Sequence, residues 1–367
     1  MARGRPDESV PEGCRPRRSI APDGQWPARV TGDAHAVYAH AVTNQIAAAV
    51  SLDPALATVI ISSLASRIRD GRTRAKIAGR TAEALGARGH REVVVVEASS
   101  PAAVRDAAEA AVRNGSSVVA LAGGDGTIRD AAGILAGTGI TVGIVPCGTG
   151  NLYASSVGIS RDIHEALATL ATGSPRAFDV GEVRLGPWPA AGDAAPPAPM
   201  PFIVACGTGL DARLIAATSY DMKRRYGVAA YFLAATRLLE HLRAQPTVLT
   251  IDDVRTELES VVVLVANCGE AIPGGLLPRR RIDPGDGLLH VFILPRGGVV
   301  HGIRGALELM TSEAAPMSPS GSAMRLVGSR VRVEVTPAQP TEIDGDPFPV
   351  ASLDARIRPG ALSVLRR

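Results

Sequence analysis

Two glycine-rich segments carry the residues best suited to chemistry, Gly123-Gly124-Asp125-Gly126-Thr127 and Pro146-Cys147-Gly148-Thr149-Gly150-Asn151. Glycine lets a backbone approach a phosphate with no Cβ in the way, and unpaired N–H groups at a helix start meet it with the positive end of the helix dipole. Thr127 adds a hydroxyl and an amide. Asp125, set between glycines, is placed either to reach a divalent cation or a nucleotide hydroxyl or to close an Asp-Gly turn. Gly148, Thr149, Gly150 and Asn151 would close the same site, with Thr149 or Asn151 also suited to cap a helix. Neither segment has the Walker or the dinucleotide spacing, and the chain has only two lysines, Lys76 and Lys223. Phosphate charge must then be met by backbone amides, arginine or a cation.

Elements that can hold two such loops are visible around them. Each loop follows an apolar run, 118–122 and 140–145, and the first precedes a helical stretch over 128–136. Upstream, 58–61 and 92–96 read as strands, and 74–87 and 101–114 as helices with apolar positions three and four apart. This alternation predicts a parallel sheet covered on both faces, with ligands beyond the carboxyl ends of its strands, where both loops fall. After Ala177 the texture changes to short strands, at 178–183, 247–251, 257–266, 289–294 and 327–335, with helical segments at 226–242 and 299–311. The expected organisation is a flexible extension over 1–55, an α/β domain over 56–177, a β-rich second domain over 178–355 and a terminal segment over 356–367. Residues 34–50 could form a short helix, and 186–201 read as a surface loop.

Composition narrows the function classes. With 46% hydrophobic and 20% charged residues the chain is globular rather than disordered. Its net charge of +3 is weakly basic and only 3% of residues are aromatic, which argues against a nucleic-acid surface. The four cysteines lack metal-ligand spacing and fit a reducing compartment, and Cys147 reads as packing rather than as a nucleophile. No run of eighteen apolar residues and no leader-like start is present, so the expectation is a cytoplasmic protein that meets lipid peripherally, at the inner membrane face.

The two loops and several later segments resemble the diacylglycerol kinase catalytic-domain family, which is related to sphingosine kinases and more distantly to NAD kinases. The likeness runs from about residue 57 to the C-terminus and is strongest over 118–158. Phe202 to Ala212 is similar to the family segment with a glycine turn and an aspartate, here Asp211. Lys223-Arg224-Arg225-Tyr226-Gly227 resembles a basic stretch before an apolar helix. Val265-Ala266-Asn267, Gly274-Gly275 and Ile282 to Leu289 resemble a strand, a glycine pair and an acidic DGLL turn. The resemblance implies an α/β domain with a parallel sheet, a β-sandwich second domain and a last strand, here Ala361 to Leu365, that returns to the first.

It also implies an ATP-dependent lipid kinase using Mg²⁺, with diacylglycerol as the expected acceptor and a sphingoid base as the alternative; NAD kinase fits less well because of the second loop and the DGLL turn. Gly123, Gly124, Asp125, Gly126, Thr127, Gly148, Thr149, Gly150 and Asn151 would bind the nucleotide. Asp286 is the metal candidate, with a metal-free hairpin an equal reading. The family carries Asp-Gly-Glu where this chain has Asp344-Gly345-Asp346, and its glutamate is proposed as the base that deprotonates the lipid hydroxyl. Asp346 keeps the carboxylate on a shorter stem, which leaves a catalytically weak nucleotide-binding regulator as the reading from another class. Two further departures stand out: Leu152-Tyr153-Ala154 replaces a segment that often has aspartate, and Ser62-Ser63-Leu64-Ala65-Ser66-Arg67 replaces an Asn-Pro-x-Ser-Gly turn, with Ser62, Ser63 or Ser66 as substitutes. The expected partners are ATP and a lipid at the membrane surface, with no nucleic acid; a homodimer is allowed, although no residue demands it.

Overall fold

The computed structural model describes residues 51–186, 197–209, 244–269, 282–295, 324–349 and 351–367. The expected helices 34–50, 226–242 and 299–311 lie outside them, as do Cys14, Asp211, Lys223 to Gly227 and Gly274-Gly275.

Four parallel strands form the first half: β1 (Asp53–Ser62), β2 (Glu92–Ala98), β3 (Ser116–Gly123) and β4 (Thr141–Pro146), in the order β2-β1-β3-β4. β1 begins at Asp53, paired with Ser116, so the first strand starts inside the segment expected to be an extension. Period-two alternation sends the side chains of each strand to opposite faces. Ile60, Val119 and Leu121 enter one core, and Val59, Ile61, Val118 and Ala120 enter the other. Each fully buried Ile or Leu of this kind stabilises the fold by roughly 1.5–3 kcal/mol relative to exposure.

The covering helices start and stop where local chemistry directs. Gly71–Arg88 opens on Asp70, whose side chain accepts from the Thr73 amide at 2.8 Å, and closes on Gly89 at φ 110. Pro101–Arg113 opens on Ser100 with proline in its first turn. Asp125–Leu135 starts directly behind the first glycine loop, and Leu152–Ser156 behind the second.

The second half is antiparallel. It contains β5 (Ser174–Gly186), β6 (Met200–Phe202), β7 (Ala205–Thr208), β8 (Gln245–Ile251), β9 (Val254–Ala266), β10 (Leu289–Pro295), β11 (Met324–Gly328), β12 (Arg330–Val335), β13 (Thr341–Ile343), β14 (Asp346–Phe348) and β15 (Ser352–Arg366). The single strand expected over 327–335 is two, broken at Ser329, whose amide and hydroxyl are held by the Asp252 carboxylate. β15 joins the halves: Leu353 to Arg356 pair with β12, whereas Ser363 and Val364 pair in parallel with β4.

The cores also connect. On β9, Val263 and Val265 face the core of the β half, while Leu264 and Ala266 join the core that also holds Leu121 and Ile128. The two halves therefore pack on shared apolar side chains, which fixes the β7 and β13 region against the glycine-loop helix. Close packing tightens β5 in particular, where a Cβ on Gly181 would overlap the ring of Phe202, itself fully buried. Gly181→Ala should therefore cost about 1–3 kcal/mol through overpacking, read as a lower urea midpoint at unchanged slope; an unchanged midpoint would contradict this packing.

Candidate active site

The two glycine loops lie against each other. The Cys147 amide donates to the Gly123 carbonyl at 2.8 Å, and a Cβ on Gly148 would stand 2.6 Å from the Gly124 Cα. Glycine is thus required at Gly148 for close backbone approach. Gly124 occupies the N-cap position of the Asp125–Leu135 helix without a side-chain cap, and Gly126 is exposed with nothing within 4 Å of its Cβ direction. Uncapped first-turn amides beside open space form a cradle that fits a phosphate.

Asp125 has a different position from the one its Asp-Gly context predicts. Its two carboxylate oxygens accept from the backbone amides of Tyr153 at 3.0 Å and Leu152 at 3.1 Å. It caps the short helix behind the second loop, so neither Thr149 nor Asn151 makes the side-chain cap expected of it. Asn151 instead adopts left-handed backbone geometry, φ 50 and ψ 44, and clasps Gly148: Gly148 N donates to Asn151 Oδ1 at 2.9 Å and Asn151 Nδ2 to the Gly148 carbonyl at 2.8 Å. Burial raises the pKa of Asp125 above the usual carboxylate range, and the Tyr153 and Leu152 amides oppose that shift.

The altered turn after β1 also finds its register. Ser66, rather than Ser62 or Ser63, reaches the second loop: its hydroxyl is 2.9 Å from that of Thr149. Arg67 N donates to the Cys147 carbonyl at 3.1 Å, and Arg67 Nη1 to the Pro146 carbonyl at 3.1 Å. Cys147 itself is fully buried, and burial pushes its thiol up to about 11, so it packs and is not a nucleophile at neutral pH.

The third element is the β13–β14 hairpin. Asp344 at φ 50 and Gly345 at φ 84 make the two-residue turn with both central φ positive that Asp-Gly favours. The buried Asp344 carboxylate accepts from the amides of Ile203, Val204 and Ala205 at 2.8–3.0 Å, which pins the hairpin to the segment before β7. Burial outweighs those amides and lifts its pKa to about 6. Glu342 accepts from Gly345 N at 2.8 Å, and burial, reinforced by Asp344 and Asp346, pushes it up to about 7. Asp346, exposed over 57% of its side chain, opens β14 and is met by Arg129 of the glycine-loop helix at 2.6 Å. The structure therefore brings Asp346 to the helix that starts at Asp125.

Asp286 is not among these residues. Its carboxylate binds His290 Nε2 at 2.9 Å and accepts from Leu288 N at 3.0 Å. Among the described residues, no group of three His, Cys, Asp or Glu side chains could hold an ion. The DGLL turn is instead fastened by buried Asp179, which accepts from Gly287 N and Gly360 N, each at 2.7 Å. In the structure the Asp286 carboxylate is engaged by His290 and by its own turn, and Arg325 Nη2 stands 2.7 Å from the other ring nitrogen of His290. Asp125 is also occupied by amides, so the described residues do not fit a resident Mg²⁺.

Residues 58–183 match the diacylglycerol kinase catalytic domain, and residues 204–366 match the YegS C-terminal NAD kinase beta sandwich-like domain. A Pseudomonas aeruginosa protein named "Probable lipid kinase YegS-like" is 30% identical over 70% of this chain and 78% of its own length. The chain belongs to the diacylglycerol kinase catalytic-domain family of lipid kinases. A Mycobacterium tuberculosis diacylglycerol kinase is 30% identical over 55% of this chain and 63% of its own length. An uncharacterised Synechocystis protein is 24% identical over 71% of this chain, which spans 57% of that relative's length. The fold is shared with the crystal structure of a diacylglycerol kinase from Bacillus anthracis, with a TM-score of 0.61 at 15% identity, covering 85% of this chain and 96% of that one. Membership in this kinase family implies use of ATP. No helix among the described residues is long and apolar enough to cross a membrane.

The raised Glu342 pKa sets a pH dependence. The folded state holds its proton up to about 7, while the unfolded chain releases it near 4.5. This carboxyl's contribution to stability is therefore fully present below pH 4.5 and is lost as pH rises to 7, a change on the order of 3 kcal/mol. Glu342→Gln should flatten the fall of unfolding free energy between pH 5 and 7 and be the more stable form, relative to wild type, at pH 8. An unchanged slope would contradict the burial of a protonated Glu342.

Proposed function

We propose that the protein transfers the γ-phosphate of ATP to the hydroxyl of diacylglycerol and releases phosphatidic acid and ADP. The observation that carries this reading is the 2.6 Å pair between Arg129 and Asp346, because it brings a hairpin carboxylate to the helix whose start forms the phosphate cradle. The nucleotide enters as MgATP, its cation neutralising phosphate charge as part of the substrate. No step rests on an ion held by the protein.

The first-turn amides behind Gly124, the Thr127 hydroxyl and the backbone of Gly148 to Gly150 bind the phosphates; Asn151 and Asp125 hold that backbone in place. The lipid hydroxyl oxygen attacks the γ-phosphorus as its bond to the β–γ bridging oxygen breaks, and the electron pair leaves with ADP. The hydroxyl proton passes to the Asp346 carboxylate and then to water. Most of the rate advantage comes from positioning and charge stabilisation, as phosphoryl transfer requires. The protein works at the cytoplasmic face of a membrane, where its acceptor resides. A sphingoid base offers the same alcohol and is the nearest alternative acceptor.

The regulator reading draws on one observation, that the carboxylate in the base position is already paired with an arginine. Incubation of the purified chain with labelled MgATP and mixed micelles of diacylglycerol, sphingosine or ceramide separates the two. Label should appear in phosphatidic acid and fall by about 10²-fold or more in Asp346→Asn, as for loss of a general base. Nucleotide binding without transfer to any lipid would establish the regulator instead.

A further inference from the structure

Asp346 has a shorter stem than a glutamate and a largely exposed side chain, so free rotation would spread its oxygens over several positions. Among the described residues, Arg129 restrains it. Arg129 lies one helical turn beyond Asp125, and its side chain is only 14% exposed. Its Nη1 donates to Asp346 Oδ2 at 2.6 Å and reaches the Ile343 carbonyl at 3.4 Å. Its Nη2 stands 3.6 Å from Asp130 Oδ1, and Arg105 Nη1 holds the same oxygen at 3.3 Å. Alternating charges therefore run from the Pro101–Arg113 helix through the Asp125–Leu135 helix to the hairpin. Among the described residues Asp346 Oδ1 takes no hydrogen bond.

We propose that Arg129 is a positioning residue that holds Asp346 by Oδ2 and leaves Oδ1 as the proton acceptor for the lipid hydroxyl, compensating for the shorter stem. This rests on the kinase reading above. A planar guanidinium suits the task because Nη1 meets the Asp346 carboxylate and the Ile343 carbonyl while Nη2 faces Asp130, a spread over two nitrogens that one ammonium does not reproduce. Stability alone gives little reason for the pair. An ion pair with one partner this exposed contributes only about 0–1 kcal/mol to folding. Its value is in placement, since an error of about 1 Å in a reacting group can lower rates by roughly 10²-fold.

The test compares steady-state kinetics of wild type, Arg129→Gln, Arg129→Lys, Asp346→Glu and the Arg129→Gln/Asp346→Glu double variant. Nitrogen-15 NMR of the Arg129 guanidinium is recorded alongside, in wild type and Asp346→Asn. Arg129→Gln should lower kcat by about 10- to 100-fold while the KM for ATP moves less than about twofold, with Arg129→Lys intermediate. Asp346→Glu should lower kcat in the wild-type background but raise it in Arg129→Gln, where the longer stem is no longer misplaced by the arginine. The guanidinium should rotate slowly in wild type and measurably faster in Asp346→Asn, where only Asp130 and the Ile343 carbonyl still hold it. Unchanged kcat in Arg129→Gln, or a loss expressed mainly in the KM for ATP, would overturn the positioning role and leave the kinase standing. A freely rotating guanidinium in wild type would overturn it as well. A hindered guanidinium in a protein that phosphorylates no lipid would instead overturn the kinase reading, and the positioning role with it.

Discussion

The Asp125 carboxylate, accepting the amides of Leu152 and Tyr153 across 27 and 28 positions of sequence, is the contact on which the site depends. One side chain in the first turn of one helix caps the start of another, so the two glycine loops that precede those helices become one surface. A charge-assisted bond of this kind is stronger than a neutral one. Burial works against the ionised form, yet the two amides reward it, so the group is costly to bury and costly to remove. Everything nearby is built on the resulting loop contact: glycine at Gly148 because a Cβ would meet Gly124, Asn151 in the left-handed region to clasp Gly148, and Ser66 and Arg67 closing over the far side.

The second domain depends on the same device, a buried carboxylate gathering backbone amides. Asp344 collects three and fixes the hairpin that bears Asp346; Asp179 collects two and fixes the DGLL turn against β15. In this way loops that must be polar obtain order from carboxylates that gather backbone amides. The shared core across β9 then holds the hairpin against the glycine-loop helix, and Arg129 spans the remaining gap.

Much of this was legible in the residues and some of it could not be. Strand-helix alternation and the glycine segments placed the two loops at neighbouring strand ends because period and glycine content are local signals. The return of the chain at Ala361 to Leu365 was suggested by resemblance, and the pairing of Ser363 and Val364 with β4 gives it a register. The role of Asp125 was not legible, because its partners are backbone amides of residues with no polar side chain to advertise them. Arg129 and Asp346 lie 217 positions apart, and neither residue type announces its partner. Asp344-Gly345 did carry a signal, the Asp-Gly pair of a tight hairpin, but its burial depends on three amides elsewhere. Asp286 meets the same limit: an acidic turn looks the same in sequence whether it faces a cation or a histidine four residues on.

The most direct measurement is the ATP affinity of wild type and Asp125→Asn by titration calorimetry. If Asp125 acts by holding the two loops together, losing the charged cap should weaken binding by about tenfold or more. If it acted only as a negative charge beside the phosphates, its neutralisation would leave affinity unchanged or tighten it, and that result would contradict the account.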